Sequence, residues 1–151
     1  HKGLYRSIQD EVPYDYYTVP IGKALELSQG EDVAVITYGM GVHWALATLA
    51  KHPEISASIL DLRTLLPFDR DAIRSVVARC GKVVILHEDT LTGAIGGEIA
   101  AFIAEECFEY LDGPVVRVGA LDTPVPFAPA LEQAFLPKAE FEKKLLELVS
   151  Y

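Results

Sequence analysis

From Asp32 onward the chain alternates short apolar runs rich in β-branched residues with longer stretches of mixed polarity. Asp32–Tyr38, Ser56–Leu62, Lys82–Leu86 and Val115–Val118 read as strands, and the first is apolar almost throughout, as in a strand buried on both faces. Between them, Met40–His52, Asp69–Arg79 and a stretch from about Ala94 to Leu111 read as helices. Strand and helix alternating at these lengths imply crossover connections, hence a parallel sheet with helices on both faces. Ahead of them, Lys23–Ser28 alternates weakly and meets a turn signal at Gln29-Gly30, which predicts a hairpin with the next strand. The expected fold is therefore α/β: a three-layer αβα domain with a five-stranded, mostly parallel sheet and one antiparallel edge strand.

The two ends of the chain read differently. Residues 1–20 are rich in tyrosine and punctuated by Pro13 and Pro20, so they are expected to form an extended interdomain linker ahead of a domain at 21–151. The start, His1-Lys2-Gly3, has neither an initiator Met nor a signal-peptide pattern and reads as a cut from a longer protein. Three prolines within Asp122–Pro129 predict a loop, and Lys138–Val149 reads as an amphipathic docking helix.

At 151 residues, half of them apolar, the chain fits one globular domain. Its net charge of −9 argues against nucleic acid and calls for a basic macromolecular partner, if there is one. No apolar run approaches the roughly 20 residues that cross a bilayer. Cys80 and Cys107 lack the spacing of a disulfide or zinc pair, so they are expected to pack as small apolar groups in a reducing compartment.

Four stretches suggest chemistry. Tyr38-Gly39-Met40-Gly41, followed by Asp61 after the next strand, mimics a dinucleotide fingerprint, but Trp44 stands where the third glycine would let helix and strand pack closely. A tight turn is the better reading. Thr92-Gly93-Ala94-Ile95-Gly96-Gly97 opens the longest helix without the Lys-Ser or Lys-Thr of a P-loop, so its glycines are expected to serve close packing. His87-Glu88-Asp89 ends a buried strand at the carboxyl edge of the sheet, where open α/β folds bind ligands, but it lacks the spacing of a zinc motif. His87 and Glu88 are expected to make structural or interdomain hydrogen bonds. Finally, Glu105, Glu106, Glu109 and Asp112 form an acidic series that is either a solvated face or a landing site for a basic partner. No serine sits on a nucleophile elbow.

Several segments together resemble one family: Lys2-Gly3-Leu4-Tyr5-Arg6, Val19-Pro20-Ile21-Gly22-Lys23-Ala24, Asp61-Leu62-Arg63-Thr64-Leu65-Leu66-Pro67, His87-Glu88 ahead of Leu91-Thr92-Gly93, Glu105-Glu106-Cys107-Phe108 and Asp122-Thr123-Pro124. In this order they are similar to the C-terminal part of the beta subunit of thiamine-diphosphate-dependent 2-oxo acid dehydrogenases. The resemblance covers essentially the whole chain and implies a transketolase C-terminal fold.

It further implies an assembly and docking domain of the component that oxidatively decarboxylates a 2-oxo acid and passes the acyl group to a lipoyl arm. Glu105-Glu106-Cys107-Phe108 and the aromatic terminus favour branched-chain over pyruvate members. Thiamine diphosphate, Mg2+ and the catalytic residues would belong to domains or subunits outside this chain, and the fragment alone would be inactive. The implied partners are an alpha-type thiamine-binding subunit, a second copy of the chain, and the basic peripheral-subunit-binding domain of a dihydrolipoyl acyltransferase. That basic domain would meet Asp112, Glu109 and the terminal Tyr151, although Asp112-Gly113-Pro114 stands where relatives commonly carry Glu-Ala-Pro. The implied location is the bacterial cytoplasm or the mitochondrial matrix. The rival readings are another transketolase-like enzyme or a free-standing nucleotide-binding module.

Overall fold

A computed structural model describes residues 2–151. After a short helix α1 (Lys2–Ser7), the elements run β1 (Leu25–Ser28), β2 (Val33–Thr37), α2 (Met40–Leu49), β3 (Ala57–Asp61), α3 (Arg70–Cys80), β4 (Val83–Thr90), α4 (Ile95–Glu106), β5 (Val115–Ala120), α5 (Pro129–Phe135) and α6 (Lys138–Val149). The five strands form one sheet in the order β1-β3-β2-β4-β5, in which only the β1–β3 pair is antiparallel.

Side-chain alternation on the strands divides the core between two faces. Ala34, Ile36, Leu60 and Ile85 point toward α3 and α4, where Ile73 and Ile99 close the layer. Val33, Val35, Ile59 and Val84 point the other way, against Trp44 of α2 and Phe141 of α6. This is the expected three-layer arrangement. β2, buried at every position, lies between two parallel neighbours, as its continuous apolar run requires. Cys80 and Cys107 are both free and buried.

The expected hairpin does not form. β1 lies at the edge and runs antiparallel, but it pairs with β3, so the turn after it must cross β3 to reach β2. β1 is half-exposed in alternation and can occupy only an edge, whereas β2 needs a buried neighbour on each side. Buried Ser58 organises the crossing: its hydroxyl accepts from Gly30 N–H at 3.0 Å and donates to Gly30 carbonyl at 2.9 Å. Arg79 reaches the same point, donating to Ser58 Oγ at 2.7 Å and pairing with Glu26 of β1.

Three further expectations need adjustment. Residues 2–7 are helical rather than extended, and 8–20 carry no helix or strand. The long helix stops at Glu106, and the expected last turn is a separate 3-10 turn at Phe108–Tyr110. The proline-rich loop forms over 122–128 but ends one residue early, at α5, whose first residue is Pro129, a position where the missing N–H costs nothing.

The contact between α2 and α6 carries a titratable clamp. His52, just beyond α2, has Nδ1 3.2 Å from Glu54 and Nε2 3.1 Å from Glu142, and Lys51 also reaches Glu142 at 3.0 Å. The hydrogen bond to Glu142 is the chief reason that the His52 imidazole is held above its ordinary value. A raised histidine contributes stability that is complete below its unfolded pKa and is lost as pH rises through the folded one. The thermal midpoint of the wild type is therefore expected to fall relative to Glu142→Gln as pH rises above the ordinary imidazole range, and parallel melting curves would contradict it.

Candidate functional site

The fold places the residues singled out from the sequence at opposite ends of the sheet. His87 and Glu88 lie at the carboxyl edge of the parallel strands; Asp112, Glu109 and Tyr151 gather at the amino end of β5.

At the carboxyl edge, β4 bulges. Leu86 pairs with Val118 and Thr90 with Ala120, so four steps of β4 oppose two of β5, and His87-Glu88-Asp89 fill the difference. Bulges of this kind re-aim side chains. His87 turns inward and is fully buried, with Nδ1 3.0 Å from the Asp89 carbonyl and its ring stacked on Tyr38 at a centroid distance of 6.3 Å. Burial is the main cause that holds its imidazole below the ordinary value. Burial likewise pushes the carboxyls of Glu88 and Asp61 up.

The glycine turn at the end of β2 has a packing purpose. Gly39 adopts a φ of +56°, and a Cβ on Gly41 would collide with the Thr37 hydroxyl. Trp44, in the position of the absent third glycine, is 6% exposed and lies in the core. The structural reading of this motif fits these contacts.

At the amino end, α3 stops at Gly81, whose left-handed φ of +66° closes the helix. The Gly81 carbonyl accepts from Asp112 N–H at 2.8 Å, and the Asp112 carboxylate lies over the glycine where a Cβ would collide with it. Asp112 is exposed and Glu109 stands on the 3-10 turn just ahead of it, also exposed. On the other side, Tyr151 packs on Gly113, where a Cβ would sit 3.3 Å from the ring. Lys82 donates to the Val149 carbonyl at 2.9 Å and so ties the end of α6 to the start of β4. Tyr151 is 76% exposed and, with Pro114, Val116, Lys144, Glu147 and Leu148, lines a mostly apolar groove of about 190 Å³.

The acidic series is not one strip. Glu106 is held by Arg74 at 2.9 Å, which lowers its carboxyl and removes it from any free anionic face. Glu105, Glu109 and Asp112 remain exposed. Sequence reasoning missed the groove beside Tyr151, because Pro114, Val116 and Leu148 meet only through the packing of α6 on β5. It also missed Gly119, which walls the His87 ring and carries no motif.

A mixed sheet with one antiparallel edge, helices on both faces and a bulged strand at its carboxyl edge defines the class: the chain belongs to the family described as transketolase, C-terminal domain, which matches residues 22–141. Over its full length the chain is 43% identical to the 2-oxoisovalerate dehydrogenase subunit beta of Bacillus subtilis strain 168, of which it covers 47%. It is 38% identical, over 97% of its length, to the pyruvate dehydrogenase E1 component subunit beta of the same organism, again covering 47%. The acetoin:2,6-dichlorophenolindophenol oxidoreductase subunit beta of that organism is 41% identical over 87% of this chain and is covered to 39%. The chain thus spans about half the length of the curated relatives it matches. Among solved structures, a split-gene transketolase described as an inactive beta4 tetramer matches with a TM-score of 0.75 and 25% identity, over 93% of this chain and 46% of that one.

Proposed function

We propose that this chain is the assembly and docking domain of the decarboxylating component of a 2-oxo acid dehydrogenase, with a branched-chain substrate for the parent enzyme. The packing of Tyr151, which lines an apolar groove, on Gly113, the residue after exposed Asp112, supports the docking reading most directly. Exposed carboxylates at Asp112 and Glu109 and an aromatic-walled groove at Tyr151 suit a basic partner with an apolar anchor, which is the chemistry of a peripheral-subunit-binding domain of a dihydrolipoyl acyltransferase. The similarity to a 2-oxoisovalerate dehydrogenase subunit beta, higher than to the pyruvate relative, supports the branched-chain choice.

Thiamine diphosphate and Mg2+ are assigned to the remainder of the parent enzyme. Gly96, in the glycine-rich first turn of α4, is packed against His87. No catalytic step runs through the side chains of this chain, and the isolated domain is expected to be inactive. The carboxyl edge at Glu88, together with exposed Ile21, Leu66 and Phe127, is assigned to contacts with the alpha-type subunit, a second copy, or the rest of the beta polypeptide.

Calorimetric titration with a purified peripheral-subunit-binding domain of a branched-chain acyltransferase tests the docking role. Saturable binding that weakens steadily with added salt is the expected result. Absence of saturable heat at low ionic strength would remove the docking assignment.

A further inference from the structure

We propose that His87 is a proton-operated latch on the first turn of α4: neutral, it lets the glycine turn Gly93–Gly97 close over its ring, and protonated, it releases that turn. The inference is independent of the docking site, which lies at the other end of the sheet. Its basis is the socket around the ring. Nδ1 lies 3.0 Å from the Asp89 carbonyl, an acceptor only, so the neutral ring carries its proton on Nδ1 and leaves a bare lone pair on Nε2. Nε2 is buried and has no hydrogen-bond partner among the described residues.

The socket walls are glycine backbone. A Cβ on Gly96 would stand 2.5 Å from Nε2, and one on Gly119 would stand 2.6 Å from Cε1. The nitrogen that would take a second proton is therefore pressed against the first turn of α4. That turn has no side-chain cap, and its N–H groups form the positive end of the helix dipole. A lone pair facing this end is favourable; an N–H donor carrying positive charge is not.

The neighbouring charges divide. On β5, Arg117 opposes protonation, while Asp89 on β4 itself favours it. Tyr38, just after β2, presents an aromatic ring, Glu98 in the first turn of α4 is exposed, and Asp122 after β5 is engaged by the Thr92 hydroxyl at 2.6 Å. None of these supplies an acceptor to Nε2. A buried imidazolium with an unpaired donor is costly enough to drive a local rearrangement. The element that yields is the glycine turn: Gly93, at φ +81°, has nothing within 4 Å of a Cβ position, whereas the other wall is held in the sheet by β5.

The test is a pH titration of the intact chain from about pH 7.5 to about pH 4.5, reading the His87 ring nitrogens by NMR and, in parallel, amide hydrogen exchange corrected for intrinsic rates. The amides of Gly97 to Ala100 depend on carbonyls of the turn, as Gly97 N–H does on Ala94 at 3.0 Å. Their protection is expected to fall by up to about tenfold per pH unit as His87 takes up its proton, while β2 amides keep theirs. In His87→Asn the pH dependence should vanish; if that variant does not fold, the wild-type titration decides alone. Protection unchanged while His87 charges, protection lost at a pH unrelated to His87, loss shared equally by β2, or a His87 still neutral at the acid end would each overturn the proposal.

Discussion

Replacing Asp112 by lysine is expected to weaken binding of the acyltransferase's basic domain by roughly 30-fold or more, about 2 kcal/mol. Asp112 is exposed, on a backbone fixed by the hydrogen bond from its N–H to the Gly81 carbonyl and followed by Gly113, which packs on Tyr151. A lysine there would oppose Arg and Lys of the proposed basic partner with a like charge and should leave the fold intact. Because the site is exposed, stability should move by no more than about 0.5 kcal/mol. Titration of both forms at one ionic strength, alongside their urea midpoints, separates the two effects. Equal affinities would remove Asp112 from the docking site, and a collapse of stability would mean that the carboxylate is structural.

Replacing Gly30 by alanine should destabilise the domain by at least about 3 kcal/mol, because the new Cβ would fall onto the backbone between Ser56 and Ala57. No flexible side chain is there to move aside; the strand crossing itself must shift, and with it the Ser58 hydrogen bonds and the Arg79–Glu26 pair. Gly93→Ala is the control. Its Cβ meets open space, so only the left-handed backbone is penalised, by roughly 1–2 kcal/mol. Urea unfolding of the two variants should place Gly30→Ala well below Gly93→Ala; the reverse order would contradict the crossing as the rigid element.

How much of this was legible in the chain follows from where the information sits. β2 and β4 were readable as buried strands because continuous apolar runs have one stable solution in a sheet covered on both faces. The partner of β1 was not, since Gln29-Gly30 signals a turn but not what the turn passes over; only the meeting of Ser58 and Gly30 reveals that. α5 was hidden because Pro129 reads as a breaker until its place at the first helical position is known. At the candidate docking site, Asp112 and Tyr151 came from a resemblance, and the packing of Tyr151 on Gly113, next to Asp112, depends on the long-range packing of α6 on β5. The inward turn of His87 was equally unreadable, because two glycines from different elements, Gly96 and Gly119, make room for it.

Mapping the basic domain on this chain by NMR chemical-shift perturbation tests the docking assignment most directly. The expected result is a single cluster of shifted amides at Glu109, Asp112, Gly113 and Tyr151, extending to Lys144 and Leu148 along the groove. Shifts gathered instead around Glu88 and Phe127 at the carboxyl edge, or none at saturating partner, would contradict it.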